Sequence, residues 1–219
     1  MKETGIIMSG DHPVKYMDGT KTMTRRTYGL ERINENPDDW QTPYPHPRLK
    51  DMWVFTSEGK GKVNIGRVIV KCPYGQVGDQ LWVRETWAKV YQDWPPESED
   101  SPYVIEYKAD TGNVYPGYWP IEEKDDEACG RWKPSIFMPR WASRITLQIT
   151  GLRAERLQEI TEGDAEAEGV SWSPCGSGEN PEIISAKENF AWLWDSLNAK
   201  RGFNWSSNPF VWVITFKRL

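Results

Sequence analysis

The sequence predicts an α+β fold organised around a small curved or closed sheet. Three observations carry that expectation. Short apolar runs with period-two alternation recur through the middle of the chain, and helical spacing is confined to segments near its two ends. The final run, Phe210-Val211-Trp212-Val213-Ile214-Thr215-Phe216, is apolar on both faces. A strand buried on both faces belongs inside a sheet, not at its edge.

Residues 5–9 read as a short buried strand. Asp11 stands where it can cap a helix running to Asp18, with Val14 and Met17 on the inner face and Gly19 ending it. Prolines at 37, 43, 45 and 47 mark residues 34–50 as a surface excursion. Strands are expected at 52–56, 67–71 and 80–88, with Gly75 and Gly78-Asp79 turning between the last two. From 91 the chain turns acidic and rich in Pro, Tyr and Trp; 103–108 reads as one strand there and the rest as insertion. Two strands, 143–150 and 153–157, are expected to join at Gly151. Thr161 with Asp164 forms a capping box, opening a short helix that Gly169 closes, and 171–181 reads as a loop. Ser185 with Glu188 forms a second box, opening a helix whose Phe190, Leu193, Trp194 and Leu197 face the core. The whole chain, 1–219, reads as one domain with insertions near 34–50 and 91–130.

A chain of 25.4 kDa is long enough to bury a good core. The hydrophobic fraction of 38% and the mean hydropathy of -0.70 are low, but 13 Trp supply large apolar surfaces and argue against disorder. No run approaches a membrane span, and the apolar stretch behind Met1-Lys2-Glu3-Thr4-Gly5 is too short for a signal peptide. Cys72, Cys129 and Cys175 lie far apart without disulfide or zinc spacing, which fits a reducing, cytoplasmic setting. With His12 and His46 as the two histidines, neither a histidine-based metal site nor a cofactor is expected. A net charge of -5 argues against a protein that grips a long phosphate backbone. A local positive pocket in an acidic molecule suits a small ligand, or one exposed nucleotide, better than a duplex.

Residues 19–26, Gly-Thr-Lys-Thr-Met-Thr-Arg-Arg, hold three cations and three hydroxyls. Cations this close repel one another unless something anionic or electron-rich sits against them. Crowding by Arg25 and Arg26 loosens the proton of Lys21, which makes Lys21 a candidate base and the Thr24 hydroxyl a candidate nucleophile. A solvated basic turn is the plainer reading of the same residues. In 81–87, alternation sets Leu81, Val83, Glu85 and Trp87 on one side, so Glu85 is the one charge on an apolar face. Such a carboxylate either protonates or meets a cation, and Lys21, Arg25 and Arg26 are the cations to propose. Kept protonated it can act as a general acid; ionised, it forms a structural salt bridge between strand and loop. A third cluster, residues 138–144, interleaves Arg140 and Arg144 with Trp141. Aromatics among arginines can sandwich a flat base, although Trp141 can equally plug the core. Arg140 takes the functional role and Arg144 the outer side of a strand.

Gly-x-Lys-x-x-Thr-x-Arg, met here by Gly19, Lys21, Thr24 and Arg26, resembles the signature of the ASCH domain, a PUA-like β-barrel. Residues 78–87 resemble the second segment of that family. Residues 138–144 together with the 210–216 ending resemble its larger, phage- and prophage-associated members. The similarity runs through most of the chain outside the two insertions. Some small members remove the acyl group from N4-acetylcytidine with a lysine base, a threonine nucleophile and a glutamate proton donor. The resemblance carries those roles to Lys21, Thr24 and Glu85 and implies that the three converge on one cavity. Trp87 or Trp141 would stack the base, Arg25, Arg26 and Arg140 would line the substrate, and Arg26 or a loop amide would hold the oxyanion. Other members are described as RNA-binding or nuclease-like, so a non-catalytic binder of RNA or a modified base and an RNA-cleaving enzyme are the alternatives. The acidic residues from Asp93 to Glu127 would keep nucleic-acid polymers away and leave a neutral nucleoside unaffected.

Overall fold

The computed structural model describes residues 1–8, 10–59, 61–62, 66–91, 103–111, 132–175 and 182–219. Its first half contains β1 (Glu3–Ile7), α1 (His12–Met17), β2 (Met23–Arg26), α2 (Glu31–Asn34), β3 (Tyr44–Pro45), β4 (Met52–Ser57), β5 (Gly66–Lys71) and β6 (Gln80–Arg84). The remainder contains β7 (Trp87–Tyr91), β8 (Tyr103–Tyr107), α3 (Lys108–Thr111), β9 (Thr146–Arg156), α4 (Glu162–Ala167), β10 (Ser173–Cys175), β11 (Glu182–Ile184), α5 (Ala186–Asn198) and β12 (Phe210–Arg218). The α+β class expected from the sequence is observed. The main sheet runs β1-β6-β9-β12-β2, so β12 has a neighbour on each side, as its two apolar faces require. Among the described residues this sheet is open, with β1 and β2 as its outer strands. The chain divides into two compact units, residues 1–2, 19–80 and 148–217 forming the first and 3–18, 81–147 and 218–219 the second.

In the first unit β2 pairs antiparallel with β12, Arg25 opposite Val213 and Thr24 opposite Ile214. Alternation therefore puts Met23 and Arg25 on one face of β2 and Thr24 and Arg26 on the other. Met23, Val211 and Val213 pack against Phe190 and Trp194 of α5 in one apolar cluster with Leu157, Ile160 and Ala165. On the opposite face of β12, Trp212 meets Trp53 edge-on at 5.9 Å and Phe210 meets Phe55 at 5.4 Å. The two sides of one strand thus feed two layers of core.

The Ser185–Glu188 box forms as expected: the Ser185 hydroxyl accepts from the Glu188 amide and the Glu188 carboxylate from the Ser185 amide. Ser185→Ala removes one of these bonds. It is expected to cost about 1 kcal/mol and to lower Tm by roughly 2–4 °C in a circular-dichroism melt. An unchanged Tm would show that the cap contributes nothing. Thr161 likewise caps α4 by accepting from the Asp164 amide. Leu197 departs from expectation: it is 50% exposed, because α5 has run one turn past Trp194 and beyond the apolar cluster.

Several other expectations are corrected. Residues 146–156 form one strand and not two, since Gly151 is a point of close approach: a Cβ there would lie 3.3 Å from Thr215. Residues 34–50 are anchored, with Trp40 and Pro43 buried, β3 paired to β4, and Asn34 exchanging two hydrogen bonds with the Phe210 backbone. Within 171–181, β10 pairs with β11 where a loop was expected, and 176–181 lie outside the described residues.

In the second unit α1 buries Pro13 and Tyr16 in place of Val14 and Met17. Asp11 makes no side-chain cap; its carboxylate pairs with Lys15 at 2.9 Å. The Tyr16 hydroxyl donates to Met8 Sδ at 3.1 Å, which fixes the helix against the strand end. The expected strand 80–88 is broken into β6 and β7, and Glu85 stands in the break. Trp87 of β7 pairs opposite Tyr107 of β8, which confirms a strand at 103–107. The acidic positions 93, 97, 99, 100, 122, 123 and 125–127 lie outside the described residues.

Candidate functional site

Each unit carries one buried charged cluster. In the first, Lys21 is 2% exposed and forms an antiparallel bridge with Glu168, just past the end of α4. Bridge partners present their side chains to the same side, and Lys21 Nζ donates at 2.6 Å both to Glu168 Oε2 and to the Glu168 carbonyl oxygen. Arg25, its side chain fully buried, reaches the same carboxylate at 3.4 Å, Asp164 at 2.7 Å and Glu155 at 2.8 Å. Glu155 lies on β9, one strand beyond β12, a span that an arginine side chain covers. Arg153 closes the network with 2.6 Å contacts to Glu155 and Asp164. Burial works against the Arg153 charge, but Glu155 and Asp164 outweigh it and hold the guanidinium more firmly protonated.

The anion that the crowded motif required is therefore internal. Three cations meet three carboxylates, so the segment is not a solvated turn. Arg25, expected at the substrate, spends its guanidinium on carboxylates and packs over Phe190 at 5.9 Å. Thr24 is buried and Arg26 half-buried on the opposite face of β2, beside Ile214 and Trp212. The motif is split: Lys21 and Arg25 point to Glu168, whereas Thr24 and Arg26 share the other face.

In the second unit Glu85 is 1% exposed. Its partner is Arg144, which grips it bidentately, Nε to Oε1 at 3.0 Å and Nη2 to Oε2 at 2.9 Å. The cations proposed for Glu85 were Lys21, Arg25 and Arg26, and Arg144 takes that place. Arg144 also holds Asp110 at 2.6 and 2.8 Å and lies over the Tyr107 ring at 3.8 Å. Burial raises the Glu85 carboxyl above its usual range; the Arg144 hydrogen bonds and charge oppose this, and the Asp110 charge adds to it. Burial also pulls at Arg144, but Asp110 and Glu85 keep it strongly protonated.

Trp87 is 4% exposed and packs with Met138, Ala142, Ile105 and Tyr107, so its faces are taken by the core of this unit. Trp141 is 62% exposed and touches Trp87 edge-on at 5.9 Å and Tyr103 at 6.4 Å. Lys89 sits over the Tyr103 ring at 4.0 Å and Lys133 over Trp87 at 5.0 Å. Arg140, expected at the substrate, pairs with Glu3 at 3.0 Å on the surface. Of the two arginines in that segment, the one assigned to the outer side of a strand reaches the carboxylate.

Sequence reasoning missed Glu168, Glu155, Arg153 and Asp110, gave Asp164 a capping role alone, and set Arg144 on the outer side of a strand. One signal was available for two of them, since Asp164 and Glu168 stand four apart in an acidic segment, on one face of any helix there. Among the described residues no group of three His, Cys, Asp or Glu side chains is placed to hold a metal ion, and no helix is long and apolar enough to cross a membrane. No family model, curated protein or solved structure matches the chain.

Proposed function

We propose that the protein is an amidohydrolase of the PUA-like ASCH type, removing an acyl group from the exocyclic nitrogen of a modified cytosine nucleoside such as N4-acetylcytidine. Lys21 is the base, Thr24 the nucleophile and Glu85 the proton donor. The observation that carries this reading is Glu85: a carboxyl buried in a strand break, which burial raises above its usual range against the opposing hydrogen bonds and charge of Arg144, holds a proton more readily than a free glutamate does. The face shared by Thr24 and Arg26 supports a second role, with the Arg26 guanidinium stabilising the oxyanion that forms when Thr24 Oγ attacks the acyl carbon. In this reading Lys21 takes the Thr24 proton once its Nζ leaves Glu168 and turns to the Thr24 face of β2. The tetrahedral intermediate collapses, and the departing exocyclic nitrogen takes the Glu85 proton, which the hydrolytic water later restores. Water then releases the acyl group from Thr24.

Incubation of the protein with N4-acetylcytidine is expected to yield cytidine and acetate, read by chromatography. Absence of cytidine removes the proposal. The exposed Trp141, beside Tyr103 and Lys89, favours a second reading, a binder of single-stranded RNA or a modified base. Salt separates the two. Polymer binding weakens steeply between low and moderate salt, whereas hydrolysis of a neutral nucleoside is expected to change little.

A further inference from the structure

We infer that the face of the second unit carrying Trp141, Tyr103, Lys89 and Lys133 is a nucleotide seat, with the base stacked on Trp141 and its phosphate held by the flanking lysines. The identity of the base rests on the amidohydrolase reading above; the phosphate rests on this surface alone. Trp141 meets both Trp87, at 5.9 Å, and Tyr103, at 6.4 Å. Each of these neighbours carries an ammonium on its ring, Lys133 Nζ at 5.0 Å from Trp87 and Lys89 Nζ at 4.0 Å from Tyr103. Two cations thus lie one ring away from Trp141.

Backbone pairing places all of these groups. Lys133 bridges Trp87, exchanging hydrogen bonds of 2.7 and 3.2 Å, so the two side chains leave on the same side. Lys89 of β7 pairs opposite Ile105 of β8, and Tyr103 is the next residue on that face, within diagonal reach. The short turn Arg140–Ala142 buries Ala142 and is tied to β8, because the Tyr107 hydroxyl donates to the Ala142 carbonyl at 2.9 Å. A clamped backbone under an open ring makes a platform that loses little freedom when a base stacks on it. The arginines of this segment are committed elsewhere, Arg140 to Glu3 and Arg144 to Glu85 and Asp110. Lys89 and Lys133 lie on rings instead, and a ring face engages an ammonium without consuming its three N–H donors. A neutral nucleoside uses the platform and leaves both charges idle. A nucleotide answers both features, a flat ring for Trp141 and an oxyanion for a lysine.

The test is titration calorimetry at low and high salt with cytidine, its 5′- and 3′-monophosphates and a cytidine trinucleotide. The better monophosphate is expected to bind about 10-fold tighter than cytidine at low salt, an advantage that shrinks as salt rises. Lys133→Gln and Lys89→Gln are each expected to bring that ratio toward one. Trp141→Ala is expected to weaken both ligands by about 10-fold and to keep the ratio. Lys133 and Trp141 are exposed, so Lys133→Gln decides alone if Lys89→Gln fails to fold. Equal Kd values for cytidine and its monophosphates overturn the proposal, as does a ratio that the lysine variants leave at its wild-type value. The trinucleotide separates the two sources of the phosphate, both of which keep the seat. Binding no tighter than the monophosphate assigns it to a free nucleotide, and tighter binding to a residue of a strand. Release of cytidine from N4-acetylcytidine is read on the same protein. Turnover with equal Kd values overturns the seat and leaves the amidohydrolase reading standing; a phosphate preference without turnover removes that reading and leaves the phosphate seat.

Discussion

Lys21→Ala and Thr24→Ala are each expected to lower deacylation of N4-acetylcytidine by about 10²- to 10⁴-fold, the range associated with losing a positioned acid–base group. Base and nucleophile act as a unit in this mechanism, so the double variant is expected to be little worse than either single one. The fold should survive the lysine change, because Arg25 remains on the Glu168 carboxylate and no buried charge is left unpaired. Thr24→Ala carries the sharper information. Thr24 faces Ile214 across the strand from Glu168, so near-wild-type turnover in this variant would identify the nucleophile as water activated by Lys21. Burst kinetics would report the same distinction, since an acyl-threonine accumulates only when Thr24 attacks.

Arg144→Met is expected to cost about 3–5 kcal/mol, the penalty for leaving one member of a buried ion pair behind. Asp110 is 43% exposed and regains water, so the loss falls mainly on Glu85. The variant removes both influences that lower the Glu85 carboxyl and keeps the burial and the Asp110 charge that raise it. The folded state then holds the Glu85 proton to higher pH than the unfolded chain does. Native molecules bind more protons in that window, so stability falls as pH rises through it and recovers as pH falls toward about 4.3, the ordinary glutamate value. Urea unfolding of Arg144→Met at pH 5 and pH 8 should therefore show the larger deficit at pH 8. A deficit equal at both pH values would mean that lost packing on Tyr107, and not an unpaired carboxylate, is the cause. Adding Glu85→Gln to Arg144→Met should return much of the lost stability, since it removes the charge that has no partner.

Both variants bear on why some of the site was legible in the sequence. Glu85 was visible because strand alternation is a local rule: Leu81, Val83, Glu85 and Trp87 are all buried, and the rule survives even the break between β6 and β7. The cap at Thr161 and the capping box at Ser185 were visible for the same reason, each being closed within three residues, although Asp164 does not return the bond that would complete a box at Thr161. The inner face of α1 was misread although its start was placed correctly: Val14 and Met17 lie one residue round the helix from Pro13 and Tyr16, and six residues carry too little periodicity to choose between the two stripes. The length of β9 was misread because Gly151 carries two meanings, a turn or a close approach, and only the neighbouring Thr215 selects between them.

Period, caps, class and the identity of the unusual residues were determined by the sequence alone, since each depends on interactions between residues close along the chain. The partners were decided by the tertiary structure. Lys21 is 147 residues from Glu168, and Glu85 is 59 residues from Arg144. Charge crowding and a lone carboxylate announce that a counter-ion is needed, because a buried charge without one is too costly to keep. Which of many acids or arginines supplies it depends on which strands lie side by side. That is fixed by the packing of β2, β9, β12 and α4 in one unit and of β6, β8 and α3 in the other, a matter of shape and burial that no local spacing encodes.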